Sequence, residues 1–192
     1  LLPGDKLELD LGGGPSAVSY AISGNTLTLK EMNIEDAKKE YIAITSIPKD
    51  ENGFENKFYN VSFKEFVNVI IPKCEKESKG IDLKPNRVPQ NYYFLWDDDE
   101  IVGLFKVRKK LNDSLREGAG HIGYGIIKKY RKRGYATRGL KLVIELIKDE
   151  IEEDEIYMSV NKDNAYSLKT QLNCGAYIFT ENKDHYFTRI KI

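Results

Sequence analysis

Cysteine and histidine are both scarce in this chain, with two of each among 192 residues. Cys74 and Cys174 are too few for a disulfide framework, and no zinc-type spacing relates them. A reduced, cytoplasmic protein without a metal is therefore expected. Net charge is missing too, because thirty basic and thirty acidic residues cancel. That balance argues against a general nucleic-acid binder, whose affinity rests on a basic surface. No run approaches the ~18 consecutive apolar residues of a membrane span. The first residues carry no basic segment followed by an apolar core, so neither a membrane partner nor a secretory signal is expected. The P-loop pattern G-x-x-x-x-G-K-[ST] and the dinucleotide pattern G-x-G-x-x-G are absent as well.

What remains is ordinary for a globular protein: 41% apolar and 31% charged residues, in a length suited to one well-cored domain. Residues 1–24 differ from the rest, carrying five Gly and two Pro but only four charged side chains. Gly12–Pro15 could join Leu7–Leu11 to Ala17–Ile22 as a hairpin. The blander reading, a leader or expression-derived extension without a core of its own, is preferred, which leaves 25–192 as the single domain.

The rest is organised around Arg131-Lys132-Arg133-Gly134-Tyr135-Ala136-Thr137. Upstream, Gly120–Ile127 is short, apolar and punctuated by glycine, as a buried strand would be. Downstream, Leu140, Val143, Ile144 and Ile147 recur at helical spacing. A strand thus enters a basic turn that opens a helix, whose free N–H groups and partial positive charge favour a phosphate. As a bare charge run, Lys128–Arg133 would be a solvated face; its place between strand and helix favours an anion site.

Elsewhere, Thr26–Met32 reads as a strand and Asn33 as the cap of a helix to Thr45. Ser62 with Glu65 forms a capping box for a second helix that Pro72 breaks or bends. Residues 49–56 read as a loop between them. Tyr92–Trp96 and Ile101–Val107 form a hairpin around Asp97–Glu100, an acidic turn whose divergent carboxylates make a poor metal site. A polar loop spans Lys109–Ala119. Ile156–Val160 is a strand, Asn164–Cys174 a helix, and Ala176–Thr180 and Tyr186–Ile192 two closing strands.

Arg131, Gly134 and Ala136 make R-x-x-G-x-A, Ile126 ends the strand before it, and Asn164 with Ser167 makes N-x-x-S ahead of Gly175. Together these resemble the GNAT superfamily of N-acetyltransferases, in particular a bacterial subgroup of predicted acetyltransferases, over roughly residues 25–192. The resemblance implies an α/β fold with a mixed, mostly antiparallel sheet flanked by helices. It implies acetyl-CoA as co-substrate, held by Ile126, Ile127, Lys128, Arg131, Lys132, Arg133, Gly134, Tyr135, Ala136, Thr137, Asn164 and Ser167. The backbone near Ile126 or Ile127 would hold the thioester oxygen. The acceptor would be a primary amine of a small molecule or peptide, in a site that Phe54, Phe58 and Tyr59 could line, and a homodimer stays open.

A base must take the amine proton. His121 stands where the histone-acetylating branch carries its Glu base, and a His packed inside the sheet is an equal alternative; Glu117 is the fallback. Many relatives carry a proton-donating Tyr where this chain has Gln171. That departure favours an alternative, a non-catalytic acyl-CoA-binding module of the same fold. A nucleic-acid protein using Lys128–Arg133 is the third reading.

Overall fold

The computed structural model describes residues 6–8, 17–22 and 25–192, with side-chain environments from residue 27 onward. In chain order the elements are β1 (Lys6–Glu8), β2 (Ala17–Ile22), β3 (Asn25–Glu31), α1 (Ala37–Thr45), β4 (Asp50–Glu51), β5 (Phe54–Glu55), α2 (Phe63–Glu65) and α3 (Ile71–Ser78). These are followed by β6 (Asn91–Asp97), β7 (Glu100–Val107), α4 (Asp113–Arg116) and β8 (Ile122–Ile126). The remainder comprises α5 (Tyr135–Ile147), β9 (Glu155–Asn161), α6 (Ala165–Asn173), β10 (Tyr177–Glu181) and β11 (His185–Lys191).

The strands form a six-stranded sheet in the order β1-β2-β3-β6-β7-β8, a three-stranded sheet β10-β11-β9 and the small hairpin β4-β5. Among the described residues every strand pairing is antiparallel. β1 and β2 pair as in the hairpin alternative, with the first strand at Lys6–Glu8 in place of Leu7–Leu11, and β2 continues the large sheet through β3, so the sheet extends into residues read as a leader. The Gly12–Pro15 turn lies outside the described residues.

β6 and β7 are apolar almost throughout because both sheet faces are covered: Phe94, Leu95, Leu104 and Phe105 are all essentially inaccessible. Each such side chain contributes about 1.5–3 kcal/mol by leaving water. α5 covers one face through Leu140, Leu142, Val143 and Ile147. It lies unusually close to the sheet, since a Cβ on Gly139 would stand 2.6 Å from the Phe105 ring.

Four local expectations need correction, the first being the polar loop at Lys109–Ala119, which folds into α4 because Asn112 caps it by accepting from Leu115 N–H. Asn33 sits ahead of the first helix, where its Oδ1 accepts from the Asp36 N–H; the helix itself begins at Ala37. Pro72 does not stop the second helix. A π-helical stretch, Phe66–Ile70, links α2 to α3 and accommodates the residue that lacks an N–H. Ser62 does cap α2 by accepting from Glu65 N–H. The loop at 49–56 folds into the β4-β5 hairpin, whose Asn52 (φ 55°) and Gly53 (φ 81°) have the backbone of a tight primed turn.

The two larger sheets meet at one end only. Gly120 bridges to Met158, and His121 N–H donates to Tyr157 O at 2.7 Å. Beyond that point β8 and β9 separate, and a cleft opens between them.

Candidate active site

The cleft has a volume of ≈ 1050 Å³ and is bounded by β8, β9, the first turns of α5 and α6, and the β4-β5 hairpin. At its mouth the chain leaves β8, makes a short 3₁₀ turn at Lys128–Tyr130 and enters α5 through Gly134. Gly134 has φ 78°, a left-handed conformation that costs a residue with a Cβ ~1–2 kcal/mol. Lys132 shares this handedness at φ 64°.

α6 and α2 are capped by Asn164 and Ser62, but α5 has no side-chain cap. Its first-turn N–H groups open toward the cleft, which Gly134, Tyr135, Ala136 and Thr137 line. The uncapped donors, the helix's partial positive charge and the exposed Lys132 fit a phosphate-bearing ligand.

The expected binding residues divide into two groups. Ile126, Arg131, Lys132, Asn164 and Ser167 line the cleft together with the first turn of α5, whereas Ile127, Lys128 and Arg133 do not. Ile127 is turned away because its N–H donates to Val102 O at 3.0 Å. Strand alternation therefore points the Ile126 N–H into the cleft and the Ile127 N–H away from it. Arg131 is not a free cation. Its Nε donates to Ile126 O (2.9 Å) and its Nη1 to Glu51 Oε1 (3.0 Å). This pairing holds the Glu51 carboxyl below its usual range.

His121 stands apart from the cleft, which corrects its expected position. Its ring is fully buried, with Nδ1 accepting from Tyr157 N–H (2.9 Å) and Nε2 3.0 Å from Glu153 Oε2. Burial lowers its pKa despite Glu153, so the ring is neutral. Glu117 is exposed and lines the cleft. Of the expected acceptor-side aromatics, Phe54 lines the cleft, Phe58 packs in the core 5.4 Å from Tyr92, and Tyr59 is exposed. Among the described residues no group of three His, Cys, Asp or Glu side chains is arranged to hold a metal, and no helix is long and apolar enough to cross a membrane.

A family model, the acetyltransferase (GNAT) domain, matches residues 27–176. The chain belongs to the GNAT acetyltransferase family. No curated protein matches it, but many solved structures share the GNAT fold. The ribosomal-protein-S5-alanine acetyltransferase from Vibrio fischeri superposes with TM-score 0.67 at 16% identity, covering 91% of this chain and 96% of that one. RimJ from Mycobacterium smegmatis, solved with CoA-disulfide, gives 0.65 at 16% identity, covering 92% and 88%. The microcin C7 self-immunity acetyltransferase MccE, solved with acetyl-CoA and AMP, gives 0.63 at 17%, covering 86% and 92%. At these identities the likeness extends to the fold.

Sequence reasoning missed two parts of this GNAT cleft. The β4-β5 hairpin lies across it: Glu51 meets Arg131, Asn52 O accepts from Asn164 Nδ2 (3.0 Å), and Gly53 sits against Asn161. The Asn52-Gly53 dipeptide was the available signal. Tyr124, on β8, stacks on Phe105 and places its hydroxyl 2.8 Å from Ser167 Oγ, beside Gln171. Burial pushes its pKa up to about 12. Gln171 itself is buried, with Oε1 accepting from Thr188 Oγ1 at 2.6 Å.

Proposed function

We propose that this protein is an N-acetyltransferase that moves the acetyl group of acetyl-CoA directly to a primary amine of a small molecule or peptide. The observation that carries the reading is the uncapped start of α5 behind left-handed Gly134, at the open end of a cleft wide enough for an extended ligand. The names of structural neighbours add weight, since one acetylates the alanine of a ribosomal protein.

Acetyl-CoA supplies an activated acyl carbon: the C–S bond breaks as the C–N bond forms. The amides of 134–137 hold the pyrophosphate, and Asn164 and Ser167 border the adjoining part of the cleft. The Ile126 N–H donates to the thioester oxygen as it gains charge. Glu117 takes the proton of the attacking amine, directly or through water. Tyr124 stays protonated at neutral pH and offers its hydroxyl to the leaving sulfur, the task that Gln171, an amide, cannot perform.

One observation favours a second reading, an acyl-CoA-binding module without turnover: Gln171 is locked to Thr188, where many relatives carry an acid. A thiol-release assay across amine acceptors, with mass spectrometry of the products, separates the two. N-acetylated product supports the enzyme. Tight acetyl-CoA binding with no release from any amine supports the module.

A further inference from the structure

Behind the cleft, strands β6, β7 and β8 carry a row of three paired residues: Tyr92 opposite Lys106, and Lys106 opposite Gly123. Directly opposed residues share a face with their Cβ positions ~4.5–5.5 Å apart. At Gly123 a Cβ would meet nothing within 4 Å, and Gly123 lines the cleft. The cleft therefore reaches the residue paired with Lys106, while Lys106, Arg108 and Tyr92 themselves stand one layer behind its lining.

Lys106 is only 8% exposed, and its Nζ has one hydrogen bond, to Glu55 O at 3.2 Å. The rings of Phe54 and Tyr92 lie 5.3 and 5.8 Å from it. Two residues on, half-buried Arg108 donates to Gly120 O at 3.1 Å. Among the described residues neither cation is within salt-bridge distance of a carboxylate. The nearby Glu55 carboxylate is exposed and lies 3.9 Å from Lys57. Burial, with the positive charge of Arg108, Lys57 and Arg87, lowers the Lys106 pKa to about 8. Burying cations without anions is costly, and a carbonyl replaces only part of the lost hydration.

We propose that this end of the cleft is an oxyanion-binding pocket in which Lys106 and Arg108 seat the carboxylate or phosphate of the amine acceptor. The assignment rests on the N-acetyltransferase reading and narrows its substrate class to amines that carry an anionic group. Phe54 and Tyr92 supply apolar walls for the part between the amine and the anion. Gly123 leaves the passage that any larger residue would fill.

Calorimetric titration of the protein with CoA present, using matched amines, tests the pocket. The pairs are tyrosine with tyramine and phosphoethanolamine with ethanolamine. At least one anionic member should bind about tenfold or more tighter than its partner, the range of charge-assisted hydrogen bonds. Which pair responds tells carboxylate from phosphate. Lys106→Met, which keeps the apolar stem, and Arg108→Gln should each erase the preference while acetyl-CoA affinity is unchanged. If Lys106→Met does not fold, Arg108→Gln carries the test alone. Equal binding within both pairs, no binding of either anionic member, or a preference that survives the folded variants overturns the pocket. The two readings fail separately. Acetylation of amines without anion preference removes the pocket and leaves the reaction; anion-selective binding without acetylation does the reverse.

Discussion

Placing a valine at Gly134 perturbs the proposed cofactor loop in two separable ways. The first is conformational. At φ 78° a residue with a Cβ pays ~1–2 kcal/mol, and β-branching raises the cost. For a domain of this size about 1 kcal/mol moves the melting temperature by about 2–4 °C, so the unliganded variant should melt about 2–8 °C lower. The second is steric, and it acts on the ligand alone. The nearest protein atom to the new Cβ would be Arg138 Nε at 4.0 Å, so the side chain stands in open space at the cleft mouth. Losing two charge-assisted contacts to the first turn of α5, at ~1.5–3 kcal/mol each, weakens acetyl-CoA binding at least about a hundredfold. Gly134→Asn separates the two effects, because Asn tolerates the left-handed backbone. It should recover most of the melting temperature while binding stays weak. Calorimetry and thermal melts read both quantities. A folded Gly134→Val protein that binds acetyl-CoA within about threefold of the parent, a difference of well under 1 kcal/mol, refutes the assignment of this loop.

Asn164→Ala removes a cap worth ~1 kcal/mol and the bond to Asn52 O, so melting temperatures with and without acetyl-CoA should fall equally; selective loss of ligand-induced stabilisation would instead mark a cofactor contact. His121→Ala should destabilise by roughly 2–4 kcal/mol through a cavity and the lost bonds to Tyr157 N–H and Glu153, which keeps Arg116, yet leave the turnover of the folded fraction within about threefold. Glu117→Gln should lower kcat ~10²-fold or more without changing acetyl-CoA affinity, and an unchanged kcat would pass the role to water. Glu40 is buried and its pKa is raised by desolvation from 4.5 to about 8. The folded state therefore keeps a proton that the unfolded state releases, and this contribution to stability is lost as pH rises from 4.5 through about 8. Denaturant titrations from about pH 5 to about pH 9 should show a smaller fall for Glu40→Gln than for the parent.

Much of the fold was legible because the signals were local. Continuous apolar runs placed β6 and β7, alternation placed β9 and a 3.6-residue period placed α5, and Ser62 and Asn164 marked their helix starts as capping chemistry requires. The strand, glycine and helix around residues 131–137 could be read for the same reason, since they are consecutive. His121 was illegible because a His on a strand has two faces available, and the pairing with Tyr157 and Glu153 joins residues more than thirty positions away. Tyr124 and Lys106 were missed on similar grounds. A Tyr in an apolar run and a Lys two residues from an Arg carry no spacing signal; register across β7 and β8 gives them their setting.

The short hairpin at 50–55 is a clasp. β8 and β9 are joined by backbone bonds only near Gly120, so sheet pairing does not fix their separation farther along. Glu51 grips the β8 side through Arg131, while Asn52 and Gly53 rest on Asn164 and Asn161 on the β9 side. The next residue, Phe54, roofs Gly125 and lies beside the Lys106 ammonium. Width at the proposed cofactor end and the ceiling at the proposed acceptor end are thus set by six consecutive residues. A ligand that displaces Phe54 pulls on the same strand of chain that holds Arg131, which makes the two halves of the cleft mechanically one.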